Sequence, residues 1–435
     1  MYKKVMLGFL MAVVVGSLLF ATGVEDGGGK AEGPVTLKIW DIYPEGAPFR
    51  AVLDGAIERF KSSTPGFEVE SISYGDMSNY KTKFATMIAS GGKDTDIFQT
   101  WGGGQLAMYA RKGFVLDLTE EMSSDGWGEQ FAEAALTFVS SDDKIWGVPI
   151  ELANVMFYYN TELFEKNNLD VPVTFDELLA VSKKLKENDI IPIVLALNKA
   201  EWVGDFIYQY LVTRVGGLDP FMEAIARSPG ASFEDPAFIE AAELLQTMVA
   251  SGCFQEGFMG TEYGSMRQIF TQEKAAMMLM GSWLPGQIAK EAPQMYQKVD
   301  FFKFPAVKGG QGQITDIVGG TNASFAVLSA TKYPEQVISL MKEFSSQETA
   351  DDVLGVAKRL PAVKYDFEQS EMDSLTRRIA NELNESTGIQ LYYDQASTPS
   401  LAQTHLSLIA SLFANTITPK EASAEWEAAA EKELR

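Results

Sequence analysis

The residues that usually break bonds are scarce in this chain. There is one histidine, His405, and one cysteine, Cys253. A single cysteine excludes an internal disulfide and a cysteine-based metal cluster, and a single histidine excludes a two-histidine zinc site. A Ser-His-Asp arrangement would have to use His405, which sits in a stretch, Ala402 to Ala414, that reads as a packed helix. No two carboxylates fall at a recognisable acid/base site, so the sequence argues against an enzyme. Gly102-Gly103-Gly104 lacks the spacing and the Lys-Ser/Thr ending of a phosphate loop and reads as a turn. Tyr158-Tyr159 and Tyr392-Tyr393 could suggest metal ligands, but the first pair alternates within a strand, so its hydroxyls face opposite ways. No motif calls for a metal or a cofactor.

What remains are flat rings beside hydrogen-bonding groups, which is the chemistry of holding a molecule. Trp283 follows an apolar strand at its C-terminal end, beside Gly281. Asp41, Tyr43 and Glu45 follow the first strand. Trp101 follows Asp96–Gln99, and Trp202 and Asp205 open a helix after a strand that ends near Leu197. Gly319 and Gly320 could offer backbone N–H groups. In open α/β sheets ligands sit beyond the carboxyl ends of strands, where these residues are expected.

The elements that must carry them read as follows. Val35–Trp40 and Phe67–Ser73 are strands, separated by a helix with Val52, Leu53, Ala56, Ile57 and Phe60 on one face. Tyr80–Ser90 is a helix, Asp96–Gln99 a short strand and Leu106–Arg111 a short helix. Val155–Tyr159 is a strand. Thr174 and Glu177 form a capping box that opens a helix to about Lys186. Ile191–Leu197 is a strand, and Trp202–Val215 and Phe238–Ser251 are helices. Ala275–Met280 and Ser324–Leu328 are buried strands. Pro334 opens a helix to Phe344, Leu401–Ala414 is another, and Thr418, Pro419 and Glu421 cap the last. This alternation predicts an α/β chain with parallel strands and helices on both faces.

A length of 435 residues predicts two lobes. Hydrophobic residues at 46% and charged residues at 22% describe an ordinary globular balance. A formal charge of −23 repels nucleic acid and anionic lipid. At the N-terminus Lys3 and Lys4 precede apolar Val5–Phe20 and the small Ala21-Thr22-Gly23, the layout of a secretory signal (1–23), with a flexible leader at 24–33. No cysteine lies near the cleavage point, so a freely diffusing periplasmic protein is expected, with no membrane insertion after cleavage.

Several patterns, in order, resemble those of the extracellular solute-binding proteins of family 1, the group that contains maltose-binding protein. They are Thr36-Leu37-Lys38-Ile39-Trp40, then Ser90-Gly91-Gly92 with Thr95-Asp96-Ile97-Phe98, and Tyr109-Ala110 with Gly113 and Leu116-Asp117-Leu118. Lys144-Ile145-Trp146-Gly147-Val148-Pro149 precedes Tyr158-Tyr159-Asn160, and Ala275-Ala276-Met277 leads into Gly281-Ser282-Trp283. Gly319-Gly320 stands before Phe325, and Ile417-Thr418-Pro419-Lys420-Glu421-Ala422 introduces the final helix with Trp426. The resemblance covers nearly the whole mature chain. The first loop, Asp41-Ile42-Tyr43-Pro44-Glu45-Gly46, matches no particular sugar subgroup, which leaves the ligand open.

The resemblance implies a periplasmic binding protein fold of two hinged lobes with several crossings, near Trp146–Glu151, Phe304–Val318 and Gly355–Ala362. Residues 34–147 and 315–357 would form the N-terminal lobe, and 148–314 and 358–435 the C-terminal lobe. It implies that Trp283 stacks on a sugar ring, and that Glu151 and Asn154 contact ligand at the first crossing. At the third crossing, Arg359 is placed to bond hydroxyls. Asp394 is a further candidate near the last helices. The implied role is the solute-capturing component of an ABC importer, a monomer that delivers a carbohydrate, an oligosaccharide by preference, to a membrane permease. The alternative is a protein of the same fold for another solute, such as a polyamine.

Overall fold

The computed structural model describes residues 34–434 apart from residue 369. The expected signal and leader fall outside the described residues. No described helix is long and apolar enough to cross a membrane.

The chain begins β1 (Val35–Asp41), α1 (Pro48–Ser63), β2 (Phe67–Ser73), α2 (Met77–Ala89), β3 (Ile97–Thr100), α3 (Gly103–Arg111). Pro48 stands in the first turn of α1, and Phe49, Val52, Leu53, Ala56, Ile57 and Phe60 bury one face at helical spacing. Asp76 caps α2, accepting from the Asn79 N–H, so this helix begins three residues before its apolar periodicity does. The long β4 (Val148–Asn160) is followed by α4 (Phe175–Glu187), opened by the Thr174/Glu177 capping box. Then come β5 (Ile191–Ile193), α5 (Glu201–Gly216), α6 (Pro236–Ala250), α7 (Tyr263–Thr271), β6 (Ala275–Gly281), α8 (Leu284–Glu291) and β7 (Val299–Phe302). The remainder includes β8 (Asp316–Val327), α9 (Pro334–Phe344), β9 (Leu360–Pro361), α10 (Ser374–Asn384), β10 (Gly388–Leu391), α11 (Tyr393–Ala396), α12 (Pro399–Phe413) and α13 (Pro419–Glu433).

These strands form one sheet in the order β2-β1-β3-β8-β4-β6-β5, with β7 and β9 also on β4 and β10 on β8. The expectation of parallel strands holds only in part. β1 runs parallel to β2 and β3, β5 to β6, and β8 to β10. However, β8 is antiparallel to β3 and β4, and β4 is antiparallel to β6, β7 and β9. A strand buried on both faces is an unbroken apolar run that carries no sign of direction. β8 also starts at Asp316, eight residues before the expected Ser324. Gly319-Gly320, expected to offer backbone N–H groups, lies within the strand, tightly flanked. A Cβ on Gly319 would stand 2.5 Å from the Ala153 carbonyl oxygen, and one on Gly320 would stand 2.6 Å from Leu391. β5 is shorter than expected, ending at Ile193 rather than Leu197.

Apolar side chains gather around the two ends of the long strands. Leu37, Ile39, Val148, Ile150, Phe325 and Phe344 form a core on one face of the first half of the sheet. Trp40, Phe84, Phe98 and Trp146 pack on its other face. The second half is covered by Val155, Phe157, Met278, Leu211 and Trp426 among others. β4 and β8 pass from the first body of packing into the second.

Candidate functional site

Where the long strands pass between the cores, Glu151 and Arg359 meet. Glu151 stands on β4 opposite Ala323 of β8 and Pro361 of β9. A register shift between Thr321 and Ala323 frees Asn322, whose amide donates to Glu151 Oε2 at 3.2 Å. Arg359 donates to the same oxygen at 2.7 Å, and its guanidinium lies over the rings of Phe49 and Tyr43 at 4.8 and 5.7 Å. Burial lifts the Glu151 carboxyl above the ordinary range against the pull of Arg359 and Asn322. Asn154, three residues on, stands opposite Gly319, and its backbone exchanges hydrogen bonds with Ser282. Glu151 Oε1, Asn154 Oδ1, Arg359 Nε and the Tyr392 hydroxyl are all buried without a hydrogen-bond partner among the described residues. Such groups are costly in a folded chain and mark a place where a ligand's polar atoms would be welcome.

Beside this polar centre stands a wall of rings. Trp283 caps the start of α8 and lies over Gly281, where any Cβ would collide with the indole. Its Nε1–H donates to the Tyr263 hydroxyl at 3.2 Å, and Tyr263 donates to Gln287 at 2.6 Å. Trp202 lies 5.3 Å from Tyr263 and 6.3 Å from Trp283, and Phe206 lies 6.2 Å from Trp283 and 5.4 Å from Tyr392. Gly320, packed on Tyr392, carries the wall back to β8.

The facing side is built by the first core. Tyr43 is buried, accepts from Gln99 at 3.2 Å and touches Phe49 at 4.6 Å. Burial, with a smaller push from the Glu151 carboxylate, raises its hydroxyl pKa and outweighs the opposing field of Arg359. Trp101 is buried with the Lys81 ammonium 5.3 Å over its ring. Lys81 pairs with Asp394 at 3.3 Å, joining α2 of the first core to α11 of the second. Asp394 also accepts from Gln395 at 2.6 Å, and burial raises its carboxyl pKa while Lys81 lowers it. Next to these, Gly103 and Gly104 approach α11 so closely that a Cβ on either would stand 2.3 Å from the carbonyl oxygen of Gln395 or Ala396. The triple glycine, read as a plain turn, thus opens α3 against the second core. Between the first loop and α8 runs a groove of about 500 Å³, lined in part by Gly46, Ala47, Arg50, Lys290 and Lys358.

The structure therefore brings Tyr43, Trp101, Glu151, Asn154, Trp202, Trp283, Gly320, Arg359 and Asp394 into one connected set. The other three candidates have different surroundings. Asp41 is engaged by the Tyr43 N–H at 2.7 Å, by the Ser71 hydroxyl and by Arg50 at 3.7 Å. Glu45 is exposed. Asp205 is buried in the second core, bonded to His405 at 2.6 Å and Gln209 at 2.6 Å. Four members were not foreseen in this setting: Tyr263, Phe206, Asn322 and Lys81. Tyr392 was seen in the sequence only as half of a tyrosine pair. It turns toward Phe206 while Tyr393 stacks on Phe221 at 3.7 Å. The one available signal was its position at the end of β10, beyond a strand terminus like Trp283. No cluster of three or more metal-ligating side chains occurs among the described residues.

Comparison with known proteins places these features in company. The profile of the bacterial extracellular solute-binding proteins matches residues 43–351. A multiple sugar-binding protein of Streptococcus mutans is 24% identical over 391 residues, 86% of this chain and 87% of that one. A structure from work on xylan utilization by the thermophilic bacterium Caldanaerobius polysaccharolyticus is 32% identical. It superposes with a TM-score of 0.83 over 91% of this chain and 99% of its own. A chitin oligosaccharide binding protein, 24% identical, superposes with a TM-score of 0.85 over 92% of this chain and 98% of its own.

Proposed function

Because the chain belongs to the bacterial extracellular solute-binding protein family, we propose that it captures a carbohydrate between two lobes and delivers it to the membrane permease of an ABC importer. One observation carries the reading. A wall of rings, buried at Trp283 and Tyr392 and half-buried at Trp202 and Tyr263, adjoins buried polar atoms of Glu151, Asn154 and Arg359 that have no partner among the described residues. A sugar has the matching halves, an apolar ring face and a rim of hydroxyls that both donate and accept. The multiple sugar-binding relative and the xylan-utilization structure support a carbohydrate. The lobes would be residues 34–147 with 315–357 and residues 148–314 with 358–435, meeting along β4, β8 and β9. Ligand bridging them would favour the closed arrangement through contacts made only there. The chain would act outside the cytoplasm as a monomer, after removal of residues 1–23, with no metal or cofactor and no catalytic step.

Intrinsic tryptophan fluorescence against mono- and oligosaccharides, with polyamines and organic acids as controls, tests this. A saturable change with one sugar series is expected. Silence toward every sugar with a response to a polyamine or an acid would keep the family and overturn the carbohydrate.

A further inference from the structure

Resting on that carbohydrate reading, we infer that the site selects uncharged saccharides and rejects acidic and free-amine ones, because the charges of Glu151, Asp394, Arg267 and Asp41 already face counter-charges of this chain. Glu151 is matched by Arg359 at 2.7 Å, and Asp394 by Lys81 at 3.3 Å. Arg267, lying over the Tyr263 ring at 4.7 Å, is matched by Glu291 at 2.7 Å. Asp41, behind the first loop, has Arg50 at 3.7 Å. What stays unpartnered is polar, with acceptors outnumbering donors. Glu151 Oε1, Asn154 Oδ1 and Gln395 Oε1 accept, Arg359 Nε–H donates, and the Tyr392 hydroxyl can do either. A sugar hydroxyl, donor and acceptor at once, satisfies both kinds. A uronate carboxylate or a free ammonium would be stripped of water with no uncompensated charge to receive it, and would intrude on pairs already made. The same pairing of charges tells against a polyamine, although the chain as a whole carries −23.

The test uses saccharides matched in skeleton and differing in charge, titrated into the purified protein by calorimetry. Suitable pairs are N-acetylated against deacetylated chito-oligosaccharides, and plain against uronate-substituted xylo-oligosaccharides. The neutral member of a bound pair is expected to bind at least about tenfold more tightly. Equal or tighter binding of the charged member overturns the inference and leaves the carbohydrate reading standing. Failure of every saccharide, neutral and charged, overturns both.

Two variants at the Lys81–Asp394 pair read the same rule in opposite directions. Asp394→Asn leaves Lys81 without its carboxylate and should narrow the gap between neutral and uronate ligands by about tenfold. Lys81→Met should narrow the gap to ammonium ligands instead. Equal losses for all ligands in both variants would assign the pair to packing and overturn its role in charge selection.

Discussion

Trp283 is held on two sides, by the glycine beneath its indole and by the hydrogen bond to Tyr263. Trp283→Ala should weaken sugar binding more than about tenfold in a fluorescence or calorimetric titration, with unfolding still cooperative. Tyr263→Phe keeps the ring but removes the partner of the indole N–H. Its cost should be smaller, about three- to tenfold, in line with one hydrogen bond. Arg359 answers to stability as well as binding. Arg359→Met strands the buried Glu151 carboxylate, and chemical denaturation should show a loss of about 3–5 kcal/mol. Trp283 was proposed from its place after a strand end, and Glu151, Asn154 and Arg359 from crossings that the family resemblance implies. Tyr263 and Lys81 were not, since each sits within or beside a helix whose sequence gives no sign of which neighbour it will meet.

Among the elements, the segment before β9 is tied to α10 through Asp373. This residue caps the helix by accepting from the Thr376 N–H at 3.0 Å, and also receives Lys358 at 2.7 Å and the Tyr296 hydroxyl at 2.8 Å. Burial works against its carboxylate, but Lys358, the Thr376 N–H and Tyr296 together prevail and bring its pKa down to about 2. A depressed carboxylate stabilises the fold above its unfolded value of 3.8 and ceases to do so as pH falls through about 2. Asp373→Asn should therefore lower stability near neutrality by about 1 kcal/mol, allowing for solvent screening. Denaturation midpoints of variant and parent should converge as the pH is lowered from 4 toward 2. Element boundaries were legible wherever a cap or proline marked them, as in α4, α9 and α13. Strand direction was not, because pairing partners lie far apart in the chain.

The proposed closure would be a property of the whole molecule. Gly103 and Gly104 allow α3 to meet α11 across the two cores, alongside the Lys81–Asp394 pair. Gly104→Val should wedge this contact and weaken ligand binding by about tenfold, chiefly through faster dissociation in stopped-flow traces. Ligand at a hundredfold excess over Kd should add about 2.7 kcal/mol to the unfolding free energy of the unaltered protein. A Tm that does not move with the best ligand would contradict binding to the folded state.

The sequence by itself determined the inventory: one histidine, one cysteine and no phosphate loop, which turned the search toward residues that hold a ligand. It also placed helices with marked caps and aromatic residues at strand ends, since hydrophobic period and capping are local properties. Only the tertiary structure decided that β4 and β8 run against their neighbours and pass between two cores. It also decided that Asp205 is taken by His405 while Asp394 is taken by Lys81. Those outcomes depend on which distant groups share a low-dielectric space, and a chain's local pattern does not encode that meeting.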